Sequence, residues 1–259
     1  MDLGLLTTST ITVFLMILIR ISGVMISAPL FSNRSVPALT RIWMAMAFAF
    51  ILFPFHGRPD FGVPTDLIQF TVMAAQEFGI GLAMGFCANL LFAGVQMAGE
   101  YIGVQMGISI SSVLDPVNGT NVPVLSQLFY YFAILLFLTL NVHHVLIVGV
   151  DRSFKWVPLG ADGIGNMDLM LERFMAISSD IFIIALMLAL PVMGILYISE
   201  VALGFVAKVM PQMNIFMVSL PLKVALGLFV LMVSLPYAAT YLEGQYTEFV
   251  HRVLGLYAS

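Results

Sequence analysis

The sequence predicts an all-α protein of the polytopic membrane type, and three observations support this fold class. Apolar residues make up 61% of the 259 residues and charged residues only 9%, whereas a soluble domain carries about 25% charged residues. The mean hydropathy is +1.04, and several apolar runs are long enough to cross a hydrocarbon core of about 30 Å as helices. Glycine also recurs at every fourth position in Gly99, Gly103 and Gly107, a spacing typical of closely packed membrane helices.

Charge and cysteine content narrow the function classes. The net charge of −4 and a pI of about 5.4 give no basic surface for nucleic acid, so no nucleic-acid partner is expected. The N-terminus has no positive side chain before Arg20, so we expect the first helix to stay in the mature chain and not to be cleaved as a signal peptide. The single cysteine, Cys87, lies in an apolar run and is interpreted as a small buried residue.

The first half of the chain contains three apolar runs, at residues 10–31, 38–55 and 67–98. Arg20 lies in the middle of the first run, where an arginine must face protein or water and needs a carboxylate or carbonyl partner. The third run would form a helix of about 45–50 Å, longer than a bilayer core. It also carries Gln76, Glu77, Asn89 and Gln96, so contact with other protein is expected there and not only contact with lipid.

The second half contains three further runs, at residues 124–150, 174–206 and 215–242. The charged stretch 151–173 is predicted to be a loop, and the positive-inside rule gives it a faint preference for the cytoplasm. Prolines are expected to break the last two runs; they are Pro191, Pro221 and Pro236. Residues 243–259 are predicted to form a short amphipathic helix.

The stretch that begins at Gly99 connects the third and fourth runs. In a helix, Gly99, Gly103 and Gly107 fall on one face and drift by only about 40° per step, so another backbone can approach that face. After Gly107, serines alternate with branched apolar residues until Asp115-Pro116 stops any helix. A tight helix contact followed by an ordinary loop is favoured on the residues alone; a segment packed inside a larger assembly is the alternative.

No motif supports catalysis, a cofactor or a metal. His143 and His144 point about 100° apart on a helix and cannot face one metal ion as a pair four residues apart would. The serines of the connecting stretch have no histidine at a motif spacing, and no phosphate-binding or dinucleotide-binding fingerprint is present. We therefore expect a protein that is not an enzyme and uses no cofactor.

Four charged residues lie in or beside apolar runs: Glu77, Glu100, Glu200 and Lys223. In a transporter they would couple transport to an ion, and in an assembly they would pair across helices. Glu200 and Lys223 could meet near the turn if the last two runs form a hairpin, but pairing with other subunits is equally open.

Taken together, the motifs resemble the FliR/SctT family of export-gate proteins from bacterial flagella and related type III secretion systems. The resemblance covers nearly the whole chain, and its most specific piece runs from Ala98-Gly99-Glu100 through Gln105-Met106-Gly107 to Asp115-Pro116. The other pieces follow in family order: Arg20-x-x-Gly23, Ala28-Pro29-Leu30-Phe31, Arg34-Ser35-Val36-Pro37, Pro123-Val124-Leu125-Ser126-Gln127, Leu140-Asn141-x-His143, Pro211-Gln212-x-Asn214 and Pro221-Leu222-Lys223. The Pro-Val-Leu-Ser-Gln and Leu-Asn-x-His forms are more similar to flagellar than to virulence-type members.

The resemblance implies a fold and a set of partners. Residues 1–173 would be similar to FliP, and residues 174–259 to the helical hairpin of FliQ with a C-terminal helix. One copy would assemble with several FliP-like and FliQ-like subunits, and with a FlhB-like export-switch protein, in the inner membrane part of the flagellar basal body. Exported unfolded proteins and membrane lipid would be its other contacts.

The resemblance also implies a pore plug at residues 107–122, here called the pore segment. The plug residues are Gly107, Ile108, Ser109, Ile110, Ser111, Ser112, Val113, Leu114, Asp115 and Pro116. We expect Gly99, Gly103 and Gly107 to form the helix-packing face, and Arg20, Glu100 and Lys223 to be paired as buried charges within the complex.

The predicted function is therefore a subunit of the flagellar type III protein export gate, which helps form and seal a pore for unfolded proteins. A virulence-type export gate is one alternative. A secondary transporter is a second, supported by the proline-interrupted runs, and it would work without FliP-like partners. An intramembrane enzyme would need a catalytic pair that the sequence lacks.

Overall fold

A computed structural model of the chain describes residues 8–33, 36–56, 66–108, 123–160, 167–212 and 214–255. Over these residues the chain forms seven α-helices and no strand, which confirms the predicted fold class. The helices are α1 (Thr8–Ser27), α2 (Ala38–His56), α3 (Leu67–Gln105), α4 (Val124–Thr139), α5 (Val142–Trp156), α6 (Met167–Val209) and α7 (Ile215–Gly255).

The helix lengths and compositions make this a multi-pass membrane protein. Five of the described helices (α1, α2, α3, α6 and α7) are long and apolar enough to cross a membrane, and the bent pair α4 and α5 would make a sixth span. Helix α3 has 39 residues and is therefore about 58 Å long, well beyond a hydrocarbon core of about 30 Å.

The predicted breaks at proline are wrong. Pro191 lies inside α6, and Pro221 and Pro236 lie inside α7, yet both helices continue through them. Each proline removes only one backbone hydrogen bond, and membrane helices tolerate that loss where neighbouring groups satisfy the freed carbonyl. The short C-terminal helix predicted at residues 243–259 is likewise the end of α7, which runs on to Gly255.

The fourth apolar run was predicted to be continuous, but it forms two helices. Helix α4 ends at Thr139, and α5 begins at Val142. Between them Asn141 has a φ of 56°, and its N–H donates to the carbonyl of Leu138 at 3.1 Å. Asparagine tolerates this left-handed conformation better than most residues do, so it ends the helix. Because α5 continues to Trp156 and α6 begins at Met167, the predicted loop at 151–173 is also too long.

We expect the effect of substituting Asn141 on stability to depend on whether the new residue can adopt a positive φ. Asn141→Val should destabilise the fold by about 1–2 kcal/mol, because a β-branched residue resists a positive φ. Asn141→Gly should be close to neutral, since glycine adopts that φ freely. Thermal unfolding of the two variants in detergent, followed by circular dichroism, measures the difference. Equal midpoints would contradict the argument.

The described helices belong to two compact units. The first contains α1, α2, α3 as far as Leu90, α5, the start of α6 and the end of α7. In it α1 packs against α2, with an edge-to-face contact of 5.9 Å between the ring centroids of Phe14 and Phe53. The second contains the end of α3, α4 and most of α6 and α7. The division at residues 173 and 174 that the family resemblance implies stays a prediction.

The core of the second unit follows the helical period. Helix α6 buries one stripe of side chains at intervals of three and four residues; they are Ile184, Ala185, Leu188, Ala189, Val192 and Leu196. Helix α7 is fixed near its end by Tyr246, whose hydroxyl donates to the carbonyl of Ala133 at 2.9 Å. Phe92 of α3 packs against Phe137 at 5.4 Å and Tyr246 at 6.2 Å between ring centroids.

Candidate functional site

The pore segment begins directly after the end of α3. Helix α3 ends at Gln105, and the next turn closes with two hydrogen bonds of 3.0 Å: the N–H of Gly107 donates to Val104, and that of Ile108 to Gly103. Gly107 has a φ of 81°. This pattern is a Schellman motif, which ends a helix with a left-handed residue that is usually glycine. The prediction that Gly107 extends the helical glycine face is corrected accordingly: Gly107 terminates α3 and turns the chain.

Neighbouring helices hold the last four turns of α3 at three places. A Cβ added at Gly94 would lie 3.0 Å from the carbonyl oxygen of Ile181 on α6. A Cβ at Gly99 would lie 2.6 Å from the carbonyl oxygen of Leu125 on α4. One turn beyond Gly103, Met106 is fully buried against α7. Residues 103–108 lead from α3 into the pore segment and are called its root here. Contacts of α3 with α4, α6 and α7 together therefore fix the position of this root.

The contact with α4 combines close backbone approach with a hydrogen bond. The hydroxyl of Ser126 donates to the carbonyl of Gln96 at 2.9 Å, one turn before Gly99. Gly99 and Gly103 are both buried, so the glycine face is used inside the chain. A role of this face in contact with another subunit stays a prediction.

Of the predicted plug residues, only Gly107 and Ile108 belong to the part of the chain that the structure describes, and both are half-buried. The other predicted plug residues lie outside it: Ser109, Ile110, Ser111, Ser112, Val113, Leu114, Asp115 and Pro116.

The first unit contains a buried charge cluster around Arg20. The Arg20 side chain is 0% exposed, and its Nε donates to Glu77 at 2.5 Å. One terminal nitrogen donates to the hydroxyl of Ser153 at 3.2 Å, and the other to the carbonyl of Val157 at 3.0 Å. The guanidinium also lies 4.2 Å from the ring centroid of Phe154. Each guanidinium nitrogen thus has an acceptor, as a buried arginine requires.

Glycine brings Arg20 and Glu77 together. A Cβ at Gly23 of α1 would lie 2.6 Å from the carbonyl oxygen of Phe78, and one at Gly81 of α3 would overlap the carbonyl oxygen of Arg20. The two helices therefore cross backbone to backbone. Glu77 lies one turn before Gly81, which places its carboxylate beside the guanidinium.

A histidine–carboxylate contact adjoins this cluster. His56, the last residue of α2, lies 2.8 Å from a carboxylate oxygen of Asp151, and its ring stacks on Phe154 with 5.0 Å between centroids. Phe154 thus contacts both Arg20 and His56. These α5 residues belong to no motif, and the only sequence signal for them is the spacing of three between Asp151 and Phe154, which places them on one helix face.

The last two helices form a hairpin joined by Glu200 and Lys223, which are hydrogen-bonded to each other. Their side chains are 39% and 20% exposed, respectively. Glu100 is exposed, so its predicted pairing within a complex stays a prediction. Within the described ranges, no group of three or more histidine, cysteine, aspartate or glutamate side chains could hold a metal ion.

Comparison with known proteins assigns the family. Residues 11–249 match the family described as bacterial export proteins, family 1. The chain is 37% identical over 223 residues to the flagellar biosynthetic protein FliR of Bacillus subtilis (strain 168), covering 86% of this chain and 85% of that one. It is 34% identical over 234 residues to the flagellar biosynthetic protein FliR of Escherichia coli (strain K12), covering 89% and 87%.

A third relative, which is not named FliR, matches a shorter part of this chain. The surface presentation of antigens protein SpaR of Shigella flexneri is 32% identical over 158 residues, which cover 61% of this chain and 60% of that protein. The family match extends over nearly the whole chain, from the first turn of α1 to within two turns of the end of α7. The chain therefore belongs to the bacterial export proteins, family 1.

Proposed function

We propose that this chain, a multi-pass inner-membrane subunit of the flagellar type III export gate, closes the pore of that gate with residues 107–122. One observation carries the proposal: α3, held by α4, α6 and α7, ends in a Schellman turn at Gly107, directly before a stretch without charge. A helix that is held by three others and ends directly before an uncharged sequence suits the attachment of a tethered plug.

The composition of the segment supports closure by exclusion of water. From Gly107 to Leu114 no residue is charged, and serines separate branched apolar residues. Apolar constrictions gate by dewetting, because water and ions are unstable in a narrow dry passage. The first charge, Asp115, lies beyond the sealing residues, so withdrawal of the plug would break no salt bridge within 107–114.

The surfaces of the last two helices support an assembly with other export-gate components. In the span Met217–Phe249 only 11% of the most apolar window is buried within this chain. Exposed apolar faces of this kind contact lipid or other subunits. We assign the subunit contacts to FliP-like, FliQ-like and FlhB-like proteins. The energy for export comes from those or other components, and this chain performs no catalysis.

The flagellar system is favoured over the virulence system. The two flagellar relatives match 86% and 89% of this chain, whereas SpaR matches 61%. Deletion of the gene should abolish secretion of flagellar proteins and motility, and the wild-type chain supplied in trans should restore both. Normal secretion of flagellar proteins after deletion would contradict the assignment.

Substitution of the sealing residues by serine tests the plug in cells. The change covers Ile108, Ile110, Val113 and Leu114. We expect the complex to assemble and to retain some export, while the cells leak ions and small molecules at rest. Leu67→Ser with Ile68→Ser, two strongly exposed positions at the opposite end of α3, is the matched control and should stay tight. Assembled sealing variants that neither leak nor alter export would remove the plug role.

A further inference from the structure

The outer side of α5 is exposed and basic, whereas its inner side is packed within the first unit. Four exposed residues recur at intervals of four, four and three, within an arc of about 80° on the helix; they are His144, Val148, Arg152 and Lys155. We call these four residues the outer stripe of α5. The buried residues of α5 lie outside this arc: Val142, Leu146, Gly149, Val150, Ser153 and Phe154.

The two permanent charges of the outer stripe are not used within the described part of the chain. The side chains of Arg152 and Lys155 form neither an ion pair nor a hydrogen bond with any residue that the structure describes. Asp151 lies at the edge of the stripe, but its carboxylate is engaged by His56 at 2.8 Å. Two exposed cations, one helical turn apart, thus lie together without a bonded counter-charge among the described residues.

The contact with His56 places this part of α5 at a membrane surface. Helix α2 has 19 residues and is therefore about 28 Å long, which matches a hydrocarbon core of about 30 Å. His56 is the last residue of α2, so it lies where the hydrocarbon meets the lipid headgroups. The contact of His56 with Asp151 and its stacking on Phe154, with 5.0 Å between centroids, bring α5 to the same level.

The buried cluster around Arg20 fixes the orientation of the outer stripe. Arg20 donates to the hydroxyl of Ser153 at 3.2 Å and to the carbonyl of Val157 at 3.0 Å. Its guanidinium also lies 4.2 Å from the ring centroid of Phe154. These contacts hold the inner side of α5 against the first unit, so the outer stripe points away from it.

We propose that the outer stripe of α5 binds the phosphate groups of anionic phospholipids. Arginine can donate two parallel hydrogen bonds to one phosphate, and lysine adds a compact positive charge. Both side chains can extend their charged ends to the headgroups while their stems cover apolar surface. Trp156 is half-buried next to Lys155, and tryptophan is enriched at membrane–water interfaces. Lipid binding at this stripe is independent of the proposed plug.

Tryptophan fluorescence measures lipid binding at this site, because Trp43 and Trp156 are the only tryptophans in the sequence. Trp43 is 60% exposed and is replaced by phenylalanine, so that Trp156 alone reports. The full-length chain is reconstituted in phosphatidylcholine nanodiscs with a small, fixed fraction of brominated phosphatidylglycerol or brominated phosphatidylcholine. Each cation near an anionic lipid surface is worth about a five-fold gain in binding. We therefore expect several-fold stronger quenching by phosphatidylglycerol, and salt at about 0.5 M should remove most of the difference.

Three variants in the Trp43→Phe background locate the binding. Arg152→Gln with Lys155→Gln should make the two brominated lipids equal as quenchers. The exchange Arg152→Lys with Lys155→Arg keeps both charges and should keep the preference for phosphatidylglycerol. Lys208→Gln is the matched control, because it removes an exposed charge at the end of α6 and should leave the preference unchanged. The thermal midpoints of all variants should agree, since the substituted side chains are exposed.

Equal quenching by the two lipids in the chain with its native α5 would overturn the proposal, as would a preference that survives in the double glutamine variant. Loss of the preference in Lys208→Gln would also overturn it, because the preference would then reflect the overall charge of the chain. A further outcome is equal quenching combined with loss of subunits from the export complex when the double glutamine variant is purified from cells. That outcome would assign the stripe to an acidic protein partner and not to lipid.

Discussion

Arg20→Ala should reduce the yield of folded chain and of assembled complex more than any other single substitution in the first unit. The variant leaves the carboxylate of Glu77, which is 3% exposed, without its guanidinium partner. Removal of one partner of a buried ion pair costs about 3–5 kcal/mol, and whole proteins are stable by only about 5–15 kcal/mol. The cost is increased because Ser153 and the carbonyl of Val157 lose a donor. Complex yield after affinity purification measures the effect.

A double substitution provides the control for Arg20. Arg20→Met with Glu77→Leu removes both charges and keeps apolar volume, so it should recover much of the lost yield. If Arg20→Gln leaves the complex intact but changes how export depends on the proton gradient, the charge pair has a transport role. That outcome would favour the secondary-transporter interpretation over a structural one.

Gly99→Leu should have the second largest effect, and it acts on the root of the pore segment. The first atom of the new side chain would lie 2.6 Å from the carbonyl oxygen of Leu125 and 2.7 Å from Cα of Ser126. Both are backbone atoms and cannot rotate away, so α4 must move and the hydrogen bond from Ser126 to Gln96 is lost. Overpacking costs about 1–3 kcal/mol, and the lost hydrogen bond adds about 1 kcal/mol.

Gly79→Leu is the matched control on the same helix. Apart from the adjacent backbone of α3 itself, nothing lies within 4 Å of a Cβ added at Gly79, and Gly79 is exposed, so leucine there should be tolerated. The measurement is the thermal midpoint of the purified chain together with the amount of complex recovered. If the two leucine variants behave alike, the close approach at Gly99 is not a determinant of the fold.

The spacing of the glycines predicted the close helix contact at Gly99 but not the end of α3 at Gly107. Gly99 allows the close approach that its position on the helix indicates. Gly107 has the same spacing of four but a different role, because the glycine that ends a Schellman turn can follow the last helical glycine at that interval. A periodic pattern does not by itself reveal where the backbone leaves the helix.

The charge pairs were predictable to different degrees. Glu200 and Lys223 are near in sequence across one hairpin, so their meeting follows from helix lengths alone. A buried Arg20 requires an acceptor, and this much could be predicted. That the acceptor is Glu77, 57 residues away, depends on the close crossing of α1 and α3 at their glycines, which the sequence does not show. The contact between Met106 at the end of α3 and Gly227 of α7 could not be predicted from the sequence, because 18 methionines and 21 glycines offer too many possible pairings.

The wrong predictions about helix ends have two physical causes. Pro191, Pro221 and Pro236 lie inside helices because apolar surroundings favour the helix strongly enough to outweigh one missing hydrogen bond. Asn141 ends a helix within an apolar run by adopting a positive φ, as asparagine does more readily than most residues. For the prolines, local propensity is a weak guide, because burial and lipid contact dominate.

The ion conductance of the resting complex in a planar lipid bilayer tests the central claim most directly. The complex is compared as wild type and with serine at Ile108, Ile110, Val113 and Leu114, at matched protein amounts. The plug account predicts that the wild-type complex is closed and that the serine variant conducts ions without any exported protein present. Equal, negligible conductance from both assembled complexes would contradict it.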